Sequence, residues 1–401
     1  ADDPAGEWSD PIRVEGSGFD PDLFFDEDGK VYLSRHADDH DGIRLWQIDL
    51  ESGRLIGPEH KIWPGFEDDL CEAPHIYKIN GWYYLLVAEG GTHRGHMVCI
   101  GRSRQVTGPY ESCPHNPILS HRARVAEPIQ ATGHADLLQT HDGSWWMVFL
   151  GIRQIGWRYH HLGRETFLAP VSWTADGWPL VYGGKPISLQ MEVLTLPLHP
   201  WPELPERDDF DAPRLGLCWN FRKPPVPQSW SLSERPGWLT LRGSPLGLDN
   251  PRSPTFVGRR QQHFDCVATA LLEFAPQEEG EEAGLTAYMD ENHHYEIALR
   301  RQDGSNCIIV RKRIGDLSVV AASVPCQSSR VLLRIQASES RYTLAYAEPD
   351  GGFHPLANAL PRYLSSEVAG GFTGVYLAMY AAGSGAPTAS PAYFDWFEYR
   401  P

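Results

Sequence analysis

The sequence is short of the residues that mark several whole classes of protein. It has 7 cysteines, an odd number, and none stands in a C-x-x-C pair. That spacing excludes a zinc knuckle and argues against a disulfide framework. Cys71, beside Glu72, reads as a small buried residue. Cations are outnumbered: 35 Lys and Arg against 52 Asp and Glu leave a formal charge of −17. A surface this acidic repels phosphate backbones and anionic lipid, so neither nucleic acid nor a membrane is expected as partner. A neutral substrate is not disfavoured, although solubility alone also accounts for the charge. No apolar run reaches the ~20 residues of a membrane span. No long stretch of period 3.6 is present, so helices should be few. The start, Ala1-Asp2-Asp3-Pro4, has neither an initiating methionine nor the pattern of a signal peptide. Cysteines without pairing lean weakly towards the cytoplasm.

What is present in quantity is aromatic. Trp, Tyr and Phe number 14, 16 and 15 in 401 residues, a length that allows two cores. Flat rings stack on the apolar faces of sugars, but they also fill β-sheet cores.

An internal repeat organises the first half. DPDLFFDEDGKVYLS from Asp20, EAPHIYKINGWYYLL from Glu72 and HADLLQTHDGSWWMV from His134 align on a turn of the form Asp/Asn-Gly, with a polar residue nine positions before the glycine. An apolar run, such a turn and an aromatic run make a hairpin. The segments are 52 and 62 residues apart, which suits a four-stranded propeller blade. Innermost strands of a propeller start at a common mouth, so Asp20, Glu72 and His134 are expected in register around one cavity. Two carboxylates and a histidine there suit glycoside hydrolysis. Local strand capping is the alternative for each.

The pattern fades after Trp178. A Pro-rich connector over 183–206 follows, and from Asp208 many short strands alternate with turns such as Gln302-Asp303-Gly304, which argues for a β-sandwich. The expected division is a propeller over 1–182, a linker over 183–206 and a sandwich over 207–401.

These segments resemble glycoside hydrolase family 43, in its branch of β-xylosidases and α-L-arabinofuranosidases. The likeness rests on GSGFDPDLFFDEDGKVYL, CEAPHIYKINGWYYLLVAEGGT, TGHADLL and LGRETFLAPVSW, and in the second half on RDDFD, VGRRQQHFD, EEGEEAGL and FTGVY. It implies an all-β chain: a five-bladed propeller followed by a concanavalin-like sandwich. It implies an inverting exo-glycosidase that removes terminal β-D-xylosyl or α-L-arabinofuranosyl residues from xylo- or arabinosyl-oligosaccharides. Glu72 would be the general acid, which needs a raised pKa. His134 would lie on the propeller axis, Arg164 and Thr92 would contact substrate, and the ring of Phe372 would reach the active-site mouth. Arg164 pairing with Glu165 or another carboxylate, a core His134 and a core Phe372 are the plainer readings. No cofactor is required, and a calcium ion near His134 is allowed.

The chain also departs from the family. A blade ending in Asp-Pro, whose Asp is the general base, and a W-A-P-D blade, whose Asp tunes the acid, are not visible. Asp20-Pro21 sits at the corresponding repeat position, but the resemblance makes Asp20 a structural third-blade residue. About two blades are expected to be missing, either because the gene is truncated or because a partner chain or copies of this one supply them. A truncated, non-catalytic carbohydrate-binding protein is the alternative function.

Overall fold

The computed structural model describes residues 1, 3–36, 42–67, 70–156, 158–252 and 254–401. The chain divides into two compact units. The first gathers Ala1–Arg153 and Glu165–Leu198, the second Gln154–Arg164 and His199–Pro401. The propeller therefore does not run unbroken over 1–182. Eleven residues between two neighbouring strands of its last sheet cluster with the second unit.

The first unit is three antiparallel sheets in chain order. The first holds β1 (Phe19–Phe25), β2 (Val31–His36), β3 (Ile43–Asp49) and β4 (Arg54–Trp63). The second holds β5 (Glu72–Ile79), β6 (Trp82–Glu89), β7 (Met97–Ser103), β8 (Glu111–Ser112) and β9 (Leu119–Ser120), with β7 pairing both short strands. The third holds β10 (Ile129–Gln139), β11 (Trp145–Arg153), β12 (Glu165–Trp173) and β13 (Pro179–Val181).

The turns follow from their residues. Asn80 and Gly81 both have positive φ, 51° and 74°, as a two-residue hairpin with the strand twist requires. The other two hairpins close with five residues. There Asp26 N donates to Lys30 O, Thr140 N donates to Ser144 O, and Gly29 and Gly143 supply the left-handed position.

The middle sheet is covered on both faces, which explains the continuous apolar run of β6. Leu85 and Val87 pack with Ile43, Leu45 and Ile62 of the first sheet, whereas Leu86 points the other way, to Ile129, Met147 and Phe149 of the third. Each such fully buried side chain contributes about 1.5–3 kcal/mol. Much of the aromatic surplus is core: Trp173 meets Tyr84 and Trp145 edge-on at 5.3 and 5.4 Å.

The second unit is a sandwich of an eight-stranded and a six-stranded antiparallel sheet. Cys266–Glu273, Arg330–Ala337 and Ala392–Arg400 centre the larger; Glu282–Asp290, His293–Gln302 and Ser305–Ile314 centre the smaller. Leu272, Phe274, Leu285, Ile297, Leu333 and Phe394 fill the space between. Among the described residues the single α-helix is Ser366–Ala369, and no disulfide is formed.

Candidate active site

The first strand of each propeller sheet carries a β-bulge. Phe19 pairs His36 but Asp22 pairs Ser34; Glu72 pairs Ala88 but His75 pairs Leu86; Gly133 pairs Leu150 but Asp136 pairs Val148. Each time three steps on the inner strand oppose two on its partner. Asp20, Ala73 and His134 hold the left-handed conformation inside these bulges, with φ of 50°, 51° and 47°.

This corrects the alignment made on the turn glycines. Glu72 is not the equivalent of Asp20 and His134; Ala73 is, and Glu72 stands one residue earlier. The cause is the Asn80-Gly81 turn, which is three residues tighter than its counterparts while β5 runs one residue longer between bulge and turn. The bulges still deliver the three side chains to one place. Asp20, Glu72 and His134 are half-buried, and one ligating atom of each lies within 4.8 Å of the others. Gly133 lets this happen: a Cβ there would stand 2.4 Å from the buried His96 ring.

Asp20 thus comes within 4.8 Å of Glu72, although the two belong to different sheets. Its carboxylate is too near Glu72 for the two to be an inverting acid–base pair, which needs about 6.5–9.5 Å to seat a water. A carboxylate at this range instead opposes loss of the neighbour's proton. The same three residues are the group that could reach an ion near His134. They offer two carboxylates and one imidazole, whereas calcium takes about six to eight oxygens. An ion on Glu72 would also drive off the proton a general acid carries. Three side chains alone do not fill such a shell, so most of its oxygens would come from water or backbone.

Thr92 follows Gly90 and Gly91, both of positive φ, in the loop after β6 and is half-buried. Arg164 and Phe372 belong to the second unit, where the guanidinium carbon lies 4.8 Å from the ring centroid. Glu165, the partner the plainer reading gave Arg164, is held by Arg153 at 2.7 Å. The segment bearing Arg164 is strapped down. His160 N and Nδ1 meet the Glu367 carboxylate at 2.9 and 2.6 Å, Val375 N donates to His161 O, and Arg260 donates to Leu162 O. Burial works against the Glu367 charge, but the His160 contacts hold its pKa below the usual range. Gly163 passes so close that a Cβ would be 2.4 Å from Gly374 N. Phe372 is 58% exposed, so it is not core.

Sequence reading missed a second polar set just beyond the bulges: Asp22, His75, Tyr77 and Asp136. His75 Nδ1 lies 3.3 Å from Asp22, Tyr77 donates to Asp136, and Leu137 N donates to the Tyr77 oxygen at 2.9 Å. Burial disfavours the charged His75, yet the Asp22 hydrogen bond and the fields of Asp136, Asp22 and Asp20 raise its pKa. Burial, then Asp136, push the Tyr77 hydroxyl well up. Part of the signal was available, because Asp22, His75 and Asp136 recur at the position that closes each bulge.

Known proteins match this architecture along the whole chain. The model of glycosyl hydrolases family 43 matches residues 1–179, and that of the beta xylosidase C-terminal concanavalin A-like domain matches 207–400. The chain belongs to glycosyl hydrolase family 43. A non-reducing end alpha-L-arabinofuranosidase of Bacteroides ovatus is 43% identical over 404 residues, covering 100% of this chain and 75% of that protein. A xylan 1,3-beta-xylosidase of a Vibrio species is 34% identical over 426 residues, covering 100% and 79%. A solved family 43 structure from the Bacteroides ovatus xyloglucan locus superposes with a TM-score of 0.95 at 42% identity, covering 100% of this chain and 79% of that one. This family 43 chain is thus a glycosidase with blade sheets and a concanavalin-like sandwich. A non-catalytic, truncated carbohydrate-binding protein is not favoured by relatives that carry enzyme names across its full length.

Proposed function

We propose that this family 43 enzyme removes terminal α-L-arabinofuranosyl residues, and with them β-D-xylosyl residues, from the non-reducing ends of short oligosaccharides, with inversion. The observation that carries the site assignment is the convergence of Asp20, Glu72 and His134 within 4.8 Å at three β-bulges. Glu72 is the general acid and protonates the leaving oxygen. Asp20 takes the tuning role that the resemblance had placed outside the chain: its negative charge favours the protonated form of Glu72. His134 borders both. A different carboxylate, farther off, activates the water. Thr92, in the same unit, is a substrate contact. The 43% identity to an arabinofuranosidase against 34% to a xylosidase supports the order of the two sugars.

The test is nitrophenol release from aryl α-L-arabinofuranoside and β-D-xyloside by the unaltered chain and by Glu72→Gln. A loss of about 10²–10⁴-fold is expected, the usual contribution of a general acid. Equal rates would remove Glu72 from the chemistry.

A further inference from the structure

The residues assembled at the candidate site come from β1, β5 and β10, and these strands lie in three different sheets. No backbone ladder spans them. Their relative placement, to the few tenths of an ångström that catalysis needs, must be fixed by side chains. The polar set beyond the bulges sits where such links are required. Asp22 of β1 reaches β5 twice, through His75 Nδ1 at 3.3 Å and as acceptor of Ile76 N at 3.4 Å. Tyr77 of β5 reaches β10 twice, donating to the Asp136 carboxylate and accepting from Leu137 N at 2.9 Å. Asp22 is two residues from Asp20, His75 three from Glu72 and Asp136 two from His134.

We infer that Asp22, His75, Tyr77 and Asp136 form a positioning brace, which laces the three inner strands together one layer beyond Asp20, Glu72 and His134 and so holds the acid at reacting distance. This rests on the assignment of Glu72 as acid. Asp22 contacts His75 directly and the fields of Asp136 and Asp20 add to it, which suits a cationic imidazole at the centre of the brace.

The experiment compares two substrate series on Tyr77→Phe, Asp136→Asn and Glu72→Gln. Aryl glycosides with a dinitrophenyl leaving group need little help from an acid; phenyl glycosides need it fully. Tyr77→Phe loses a single hydroxyl. It should lower turnover of the phenyl glycoside about tenfold while leaving the dinitrophenyl glycoside within about twofold, with KM little changed. Asp136→Asn, of equal size, should behave alike and guards against a folding defect in the first variant, checked by unfolding midpoint. A second readout is independent of turnover. The Glu72 carboxyl carbon, assigned by its loss in Glu72→Gln, should titrate at least about half a pH unit away from its position in the unaltered chain once Tyr77→Phe is introduced. The brace stands only if both readouts move. Parallel loss on both substrates, or an unmoved titration, would overturn it. A Glu72→Gln enzyme without leaving-group dependence would instead overturn the acid assignment beneath it, so the two failures are distinguishable.

Discussion

On the six-stranded sheet of the sandwich, Glu282 and Glu296 alternate with Ala283, Leu285 and Ile297 of the core and so point to the outer face, yet they are 4% and 2% exposed. Both carboxylates are answered there. Arg311 binds Glu282 and Glu296 at 2.6 and 2.8 Å, Arg300 binds Glu282, and His294 and Tyr380 close on Glu296. Burial alone would raise the pKa of Glu296, but Arg311 and His294 hold it well down. A cavity of about 370 Å³ lies over this network, walled by Leu248, Asp249 and Ser384. The propeller cluster is made the other way. Asp20 and Glu72 face each other, with Asp22 and Asp136 in the next layer. Charges placed to cancel give rigidity, whereas like charges placed together keep a proton where chemistry uses it.

The largest test of this contrast is on the sandwich. Arg311→Met leaves two buried carboxylates short of their main cation and should cost about 3–5 kcal/mol in denaturant unfolding. Glycosidase rates per folded molecule should stay the same. In the propeller the outcome reverses: Asp20→Asn and Glu72→Gln remove a like-charge contact, so unfolding free energy should hold or rise while Glu72→Gln loses its activity. Destabilisation of either by more than about 1 kcal/mol would mean that the cluster is structural after all.

How much of this the sequence disclosed depends on the range of the interaction responsible. The hairpins were legible because Asn80-Gly81 and Asp142-Gly143 encode their turns locally. Glu72 was legible as a strand-start residue, whereas His134, expected at another, sits in the middle of β10. The register between them was not, because a turn three residues tighter and a strand one residue longer trade against each other only once the strands pair. The tuning role open to Asp20 was hidden for a similar reason: its distance to Glu72 depends on how separate sheets converge. Glu282 and Glu296 look like ordinary solvent-face residues in an alternating strand. The segments at 245–249 and 383–385, which line the cavity beside them, are far away in the sequence. The strap over 154–164 reads as a loop within one blade, and its anchor Glu367 lies some 200 residues away.

Two histidines extend the contrast to pH, with opposite signs. His161, in the sandwich unit, is fully buried and accepts from Gln261; burial, then His160, lower its pKa to about 4. The unfolded chain takes up a proton near pH 6.5 and the folded one does not. Stability should therefore fall as pH drops from about 6.5 to 4, by about 3 kcal/mol in all, and His161→Gln should flatten that slope. His75 is shifted upward, so its contribution is present at low pH and is lost as pH rises through its folded pKa. Unfolding free energies measured across pH on His75→Gln should lose that second dependence while keeping the first. Matching slopes in the two variants would erase the distinction.

The smallest effect separates binding from support at the pair of Arg164 and Phe372. A guanidinium 4.8 Å from an exposed ring contributes about 0.5–1 kcal/mol. Phe372→Ala should therefore barely move the unfolding midpoint, since the strap beneath keeps its Glu367 and backbone anchors. If the ring serves substrate, KM for the aryl arabinofuranoside should rise several-fold at unchanged kcat, because an apolar face that contacts the sugar equally in ground and transition states is lost as uniform binding. An unchanged KM with a lowered midpoint would place the ring with the paired charges of the sandwich, as a part that holds Arg164 still.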